Sequence, residues 1–525
     1  MDSFTGVFMF LFLFCCKQPS VCCKDVAEVP IVVETSLPEK VFDISLNVQP
    51  STSKIFFDGQ EQTTSIIRTK NGIHELKIEQ EGFHTVEQSI EIFENGKNVF
   101  DIALEPIMFS VFFSIQDAGA ISITNESGKS WEVPNFSQTS LPWGIYSFET
   151  KRERSVQSKK KKRKKQKHEP DILQWNQKID ADQRVNRCFD NDEQYLRCVW
   201  HLKCGGAPKA VEFSPDGKEL WVALLMGPMA VEVYDTQTWE KIKSINLEDK
   251  GAVEFVFSPD GSKVYASQMQ TSSVYEIDSK TKELIRKMNT KGLWTKVLTM
   301  NTDGNRLFAS NWVSNDVSEF ELPSGIMHKK WKTSKTPRGL YITKDNKHLY
   351  VATYEGGTLE RFDLEKGTKT ILFSEGRSMR HIVADEENAL LYISDMGRNV
   401  IWKHNIVTGE TMILTKTESH PNTIRLSHDN RLLFVSIRGQ NNPKSYIIPG
   451  PEYGVIQVFD TKTGALLDVA IGGNQPTALD LSSTNLLASS DFLDANINIY
   501  MVSDSSLFLE RPSNRTENYK IYMKK

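Results

Sequence analysis

Short apolar runs separated by polar turns fill most of the chain, and from Asp216 onward they recur about seven times. Each unit opens with an apolar run, breaks at a polar turn and resumes with a short β-rich run. The turn and second run read SPDGKELWVAL (214–224), SPDGSKVYASQ (258–268), NTDGNRLFASN (301–311), TKDNKHLYVAT (343–353), ADEENALLYIS (384–394), SHDNRLLFVSI (427–437) and the worn LSSTNLLASSD (481–491). The turn aspartates Asp216, Asp260, Asp303, Asp345, Asp385 and Asp429 are spaced by 44, 43, 42, 40 and 44 residues. A fixed period near 40 with several short strands per unit predicts an all-β fold, a seven-bladed β-propeller. In the fourth unit GLYIT, LYVAT, TLERFDL and TKTILF read as strands A to D, from the channel outward. The sixth unit carries an insertion, GQNNPKSYIIPGPEYG (439–454), between B and C. The seventh supplies A to C without a convincing D, while EQYLRCVWHLKC (193–204) is a D-like run with nothing before it. Pairing 194–204 beside 496–502 would close the ring and remove two open sheet edges. The propeller is therefore expected over 184–506, with a tail over 507–525.

Ahead of the repeats, residues 41–107 show short alternating strands with turns at Asp58-Gly59, Asn71-Gly72, Glu81-Gly82 and Asn95-Gly96, the pattern of a small antiparallel β-sandwich. The order of strands and turns over 55–59, 72–83 and 99–106 resembles the PEGA family. The chain departs from it at the namesake motif, where Ser51-Thr52-Ser53-Lys54 stands. Residues 108–150, with LPWGIYSFE at 141–149, are expected to form a second, degenerate β-domain. In the repeats, HLYVAT (348–353), KVYASQ and RLFASN follow D-G or D-N turns, and Asp460-Thr461-Lys462-Thr463-Gly464 forms a D-x-x-T-G turn. These strings resemble YVTN-repeat propellers of the lactonase-like and quinoprotein-like superfamily. That resemblance implies a bacterial envelope setting and leaves activity open, because a propeller hosts many functions.

Composition and charge change the picture at two places. The stretch 151–168 carries eleven Lys/Arg against one Glu, or +10; the whole chain is at −4, so the rest stands at −14. A block such as KKKKRKKQK (159–167) repels itself, and residues 151–183 are expected as a basic linker. A mildly acidic body with one basic strap does not suit a dedicated nucleic-acid binder. At the N-terminus VFMFLFLFCC (7–16) is an apolar run of 10 residues. A spanning helix needs roughly 17–25, so residues 1–24 read as a secretory leader, although no Lys or Arg precedes the run. Its Leu13-Phe14-Cys15-Cys16 end resembles a lipobox, which implies lipidation at Cys15 or Cys16, a membrane anchor and a tether over 25–40. Cys188, Cys198 and Cys204 show no metal spacing. They are either small buried hydrophobes or, in an oxidising compartment, include a Cys188–Cys198 bridge.

Aligning the copies exposes what differs between blades. The residues entering strand A are Lys209, Glu254, Lys296, Arg338, Arg380, Asn422 and Thr477, four cations against one acid. The D–A and B–C connections should lie on one face around the channel mouth, together with Trp294, Trp312, Tyr354, His381, Asp395, Arg398, His420 and Arg438. The opposite face should hold the structural Asp-Gly turns. Like charges at a narrow mouth focus a positive potential, and aromatic rings beside arginine suit carbohydrate, phosphate or carboxylate groups. No nucleophile elbow, zinc-protease, Walker or EF-hand motif is present. No cofactor, metal site or catalytic residue is expected. The reading that follows is a non-enzymatic, exported, lipid-anchored envelope protein that binds a protein, glycan or other anionic partner. The alternatives are a lactonase-like hydrolase and a nucleic-acid-associated propeller acting through the Lys-rich linker.

Overall fold

The computed structural model describes residues 40–94, 96, 98–113, 115, 118–135, 137–152, 171–179, 187–189, 195–248, 251–503 and 512–524. The expected leader with Cys15 and Cys16, the tether up to residue 39 and the basic block 159–167 lie outside them. The chain divides into two compact units. The first, within residues 40–79 and 85–103, holds a three-stranded sheet (Ile66–Lys70, Val41–Gln49, Val99–Ala103) and a four-stranded one (Gln60–Gln62, Lys54–Phe57, Gly72–Glu79, Val86–Ile92). Alternate residues such as Ile44, Leu46, Phe57, Leu76 and Ile78 are buried, as a period-two pattern requires.

The second unit contains the propeller. Six four-stranded antiparallel sheets follow one another from Pro208 to Ile471. The inner strands are Pro208–Phe213, Glu254–Phe257, Thr295–Met300, Pro337–Ile342, Met379–Asp385 and Pro421–Leu426. The seventh blade takes Pro476–Leu481, Leu486–Asp491 and Asn496–Val502 from the C-terminal side, and Leu196–Lys203 pairs antiparallel beside Asn496–Val502. The architecture is an all-β seven-bladed propeller that follows small N-terminal sheets along the chain. Second strands such as Leu432–Ile437 are buried at every position, whereas outer strands such as Lys241–Ile245 are mostly exposed. The A–B turns use one device repeatedly. In the first, Ser214 Oγ donates to Asp216 Oδ1 at 2.6 Å and accepts the Glu219 N–H at 3.0 Å. The next residue, Gly217, sits at φ +71°, a left-handed position that Asn346 and Asn430 fill in other blades.

Two sequence expectations need correction. Residues 171–183 are not all linker, because Asp171–Ile179 is a strand paired along its length with Gly144–Arg152. Its alternation puts half-buried Leu173 and Trp175 on one face, packed on a core of Phe109, Phe113, Ile121 and Phe148. The second β-domain thus extends past 150. Its strands Gln138–Pro142, Met108–Phe113 and Arg187–Phe189 run into Leu196–Lys203, making one seven-stranded sheet with the last blade. The C-terminal segment is not a bare tail either. Arg515–Met523 is a helix whose Tyr519 and Met523 are buried against the sixth blade. Among the described residues no helix is long and apolar enough to cross a membrane. Cys198 is disulfide-bonded and Cys204 is a free thiol.

Candidate functional site

The inner strands aim the aligned residues into the channel. In six blades the A–B pairing slips just after strand A begins, for example between Pro208 and Ala210 and between Pro337 and Gly339. Such a bulge re-aims a side chain and breaks the ladder locally. The residue before the strand is left-handed at Ala207, Trp294, Thr336, His420 and Gln475. Non-glycine residues seldom adopt that conformation. Serines on the second strands then pin the next blade's ring carbonyl. Ser394 Oγ donates to Asn422 O at 2.7 Å, Ser436 Oγ to Thr477 O at 3.1 Å, and Ser267 Oγ to Lys296 O.

These elements gather five cations. Lys209, Lys296, Arg380 and Arg438 line a cavity of about 340 Å³ with Trp294, Trp312, Tyr354, His420, Tyr446 and Phe492. Arg338 is buried beside them, close enough to depress both lysines. Arg338, Arg380 and Arg438 are each less than a tenth exposed, and among the described residues none of the five forms an ion pair. Aromatic faces substitute in part. The Lys296 ammonium lies 4.1 Å from the Trp312 ring centre and 5.7 Å from that of Trp294, and the Lys209 ammonium lies 5.0 Å from Phe492. Trp312 in turn packs on Tyr354, with centres 4.9 Å apart. Burial, then Arg338 and Arg380, push the Lys296 ammonium down to about 6. Burial and the neighbouring cations hold Lys209 well below the usual lysine range, and Arg438 is lowered to about 10, chiefly by burial. Asn422 accepts from Arg380 Nε, and Gln475 Oε1 accepts from Arg438 Nη2. Three donors remain buried without a partner: Arg338 Nη1, Arg438 Nε and Asn422 Nδ2. A cluster of unmatched donors and like charges is built to receive an anion.

No family model matches the sequence. No curated protein matches it either. Among solved structures the chain is similar in fold to one titled Kuenenia stuttgartiensis Hydrazine Synthase, at 15% identity and a TM-score of 0.49, covering 56% of this chain and 95% of that one.

The other aligned residues fall elsewhere. Glu254 is in the channel, where burial raises its carboxyl against the lowering effect of Arg338, Arg425 and Lys209. His381 sits deeper, its Nε2 3.4 Å from Arg425 Nη1, and burial with the surrounding guanidinium groups holds it well below the usual histidine range, so it is neutral. Asp395 is a loop clamp: it accepts the N–H groups of Arg377 and Ser378 at 2.9 Å and Trp402 Nε1 at 3.1 Å. The deeper tier escapes the first alignment. Arg425 pairs with Asp480 at 3.0 Å and Glu212 at 3.5 Å. Burial opposes its charge, but these two carboxylates outweigh that and hold it above the ordinary arginine value. Each stands three residues after a ring position, at 422, 477 and 209, so aligning strand A over its full length exposes this second ring. The channel is thus basic at the mouth, and below it Arg425 is paired with the carboxylates of Asp480 and Glu212. Among the described residues no His, Cys, Asp and Glu cluster of three or more has a metal-binding arrangement.

Proposed function

We propose that this chain is a non-enzymatic binding protein of a bacterial cell envelope, exported and held to the membrane through a lipid anchor at Cys15 or Cys16, whose propeller mouth captures an anionic group of a protein, glycan or other partner. The observation that carries the binding reading is the set of five buried or half-buried basic side chains, three of them arginines, with three unpartnered donors at the same place. Charged groups left out of water need a partner, and an anion supplies it. The export reading is supported by the leader-like run, by the resemblance to YVTN-repeat propellers and to PEGA domains, and by the disulfide at Cys198, which suits an oxidising compartment. The hydrolase alternative is favoured by no particular residue.

The test is calorimetric titration of the full chain with inorganic phosphate, acetate and glucuronate at low and high salt. At least one should bind, more weakly as salt rises. Arg338→Ala and Arg380→Ala should each weaken that binding roughly tenfold or more, as expected for a lost charge-assisted contact. Binding that is indifferent to salt and to both changes would overturn the reading. For the anchor, a lipid label that fails to enter the chain, or does so equally with Cys15 and Cys16 both changed to Ser, removes that part alone.

A further inference from the structure

A second cavity, of about 320 Å³, opens at the junction of the sixth and seventh blades, and its charge is the reverse of the mouth's. Asp491 and Asp494 line it, with Lys203 the single cation. Asp491 is 1% exposed. Its Oδ2 accepts from Asn496 Nδ2 at 2.7 Å and Asn498 Nδ2 at 2.8 Å, while its Oδ1 is buried without a partner. The Asp494 carboxylate is taken by the backbone and side-chain amides of Asn474, at 2.5 Å each. Gly473 brings the backbone against both acids: a Cβ there would stand 2.2 Å from Asp494 Oδ2. The cavity is also lined by the stacked pair Phe112 and His201, with ring centres 4.5 Å apart. Burial lowers His201 to about 4, so it is neutral and adds no cation. Burial, and then the charge of Asp494, raise Asp491 to about 7. Lys203 is therefore the single positive group of the pocket.

The two cavities share chain segments. Asp491 of the acidic cavity is followed by Phe492 of the cationic one, and Asn474 by Gln475, which holds Arg438. We propose that the loop face binds a zwitterion, with an anionic group in the channel mouth and an ammonium group against Asp491 and Asp494. The anionic half rests on the reading of the mouth given above; the ammonium half stands on the acidic cavity by itself. An N–H donor suits the site better than a hard metal ion. Calcium takes about six to eight oxygens, whereas amides already occupy every carboxylate oxygen here but one. The Phe112–His201 wall offers an apolar surface to the methylenes that join the two charged ends.

The experiment is calorimetry on the full chain with linear ω-amino carboxylates of increasing length, each beside its N-acetylated form. At the length that spans the two cavities, the free amine should bind about tenfold tighter than the acetylated form, the value of one charge-assisted hydrogen bond. Asp491→Asn and Asp494→Asn should erase that preference. If the free and acetylated forms bind alike at every length, the zwitterion assignment falls while the anionic mouth stands. A preference that survives both substitutions puts the ammonium elsewhere and also overturns it. If no form binds, the mouth reading falls too. The comparison of the two forms on the unaltered chain needs no variant to fold.

Discussion

Lys296 lies over the Trp312 ring among Arg338 and Arg380, and that position makes it a proton sensor for whatever binds. Its ammonium titrates near 6 in the folded chain against 10.5 when unfolded. Between those values the unfolded chain holds a proton that the folded chain lacks, so this contribution to stability is present at high pH and is lost as pH falls toward 6. Lys296→Met should therefore raise the urea midpoint at pH 7, with the gain shrinking toward pH 10; an equal effect at both would contradict the assignment. An anion at the mouth restores the charged form, so binding near pH 7 should take up protons. Titration in two buffers of different ionisation enthalpy measures this, and zero uptake would remove Lys296 from the site. The ring was legible in the sequence because the repeat aligns Lys209, Lys296, Arg338 and Arg380, which do meet, and Arg438 from the same loop face joins them. Asp395 and His381 were read as mouth residues and are not. A carboxylate facing backbone N–H groups and a histidine one tier down look the same in sequence as their mouth-lining neighbours.

At the scale of elements, a buried clamp ties the C-terminal helix to the strand that closes the ring. Arg515, just inside the C-terminal helix, donates from Nη2 to Asp468 Oδ2 at 2.7 Å and to the Leu196 carbonyl at 2.6 Å, and from Nε to Asp468 Oδ1 at 2.9 Å. Asp468, fully buried, also accepts the Leu196 N–H at 2.9 Å. The helix thereby fastens the closing strand Leu196–Lys203 to the outer strand of the sixth blade, Leu466–Ile471. Removing one partner of a buried pair leaves an uncompensated charge, which typically costs about 3–5 kcal/mol. Arg515→Ala should lower stability by about that amount in a denaturant melt. A loss below ~1 kcal/mol would mean the helix is not the latch. The blades were readable because forty-residue periodicity repeats their errors and their signals alike. The strand Asp171–Ile179 was hidden by the like-charge block before it, which reads as linker over its whole length. The helix Arg515–Met523 was hidden because it has little amphipathic pattern of its own; tertiary packing of Tyr519 and Met523 decides it.

Across the whole second unit, the last blade does not end at its fourth strand. Leu196–Lys203 continues through Arg187–Phe189 to Met108–Phe113, so the second β-domain and the propeller share a sheet. The burial pattern shows that this continuity matters. Outer strands with nothing beside them, such as Lys369–Phe373, present mainly exposed residues, whereas the closing strand has Leu196, Cys198, Trp200, His201 and Leu202 buried. Leu466–Ile471, which the C-terminal helix covers, is likewise largely buried. The closing strand is built as an interior strand. A chain cut to residues 195–524 would leave it as an edge, with unpaired backbone groups and apolar surface facing water, the combination that recruits other edges. That truncated chain should melt lower than the full one and self-associate on light scattering; an unchanged melt in a monodisperse sample would show that the shared sheet is incidental. Where a fraction stays folded, the two cavities should respond differently. The cationic mouth draws its lining from propeller strands and loops alone, so anion binding should persist. The acidic cavity loses Phe112, and with it the apolar ring stacked on His201. The preference for a free amine should therefore decline while affinity for the acetylated carboxylate holds, a separation that a general loss of structure could not produce.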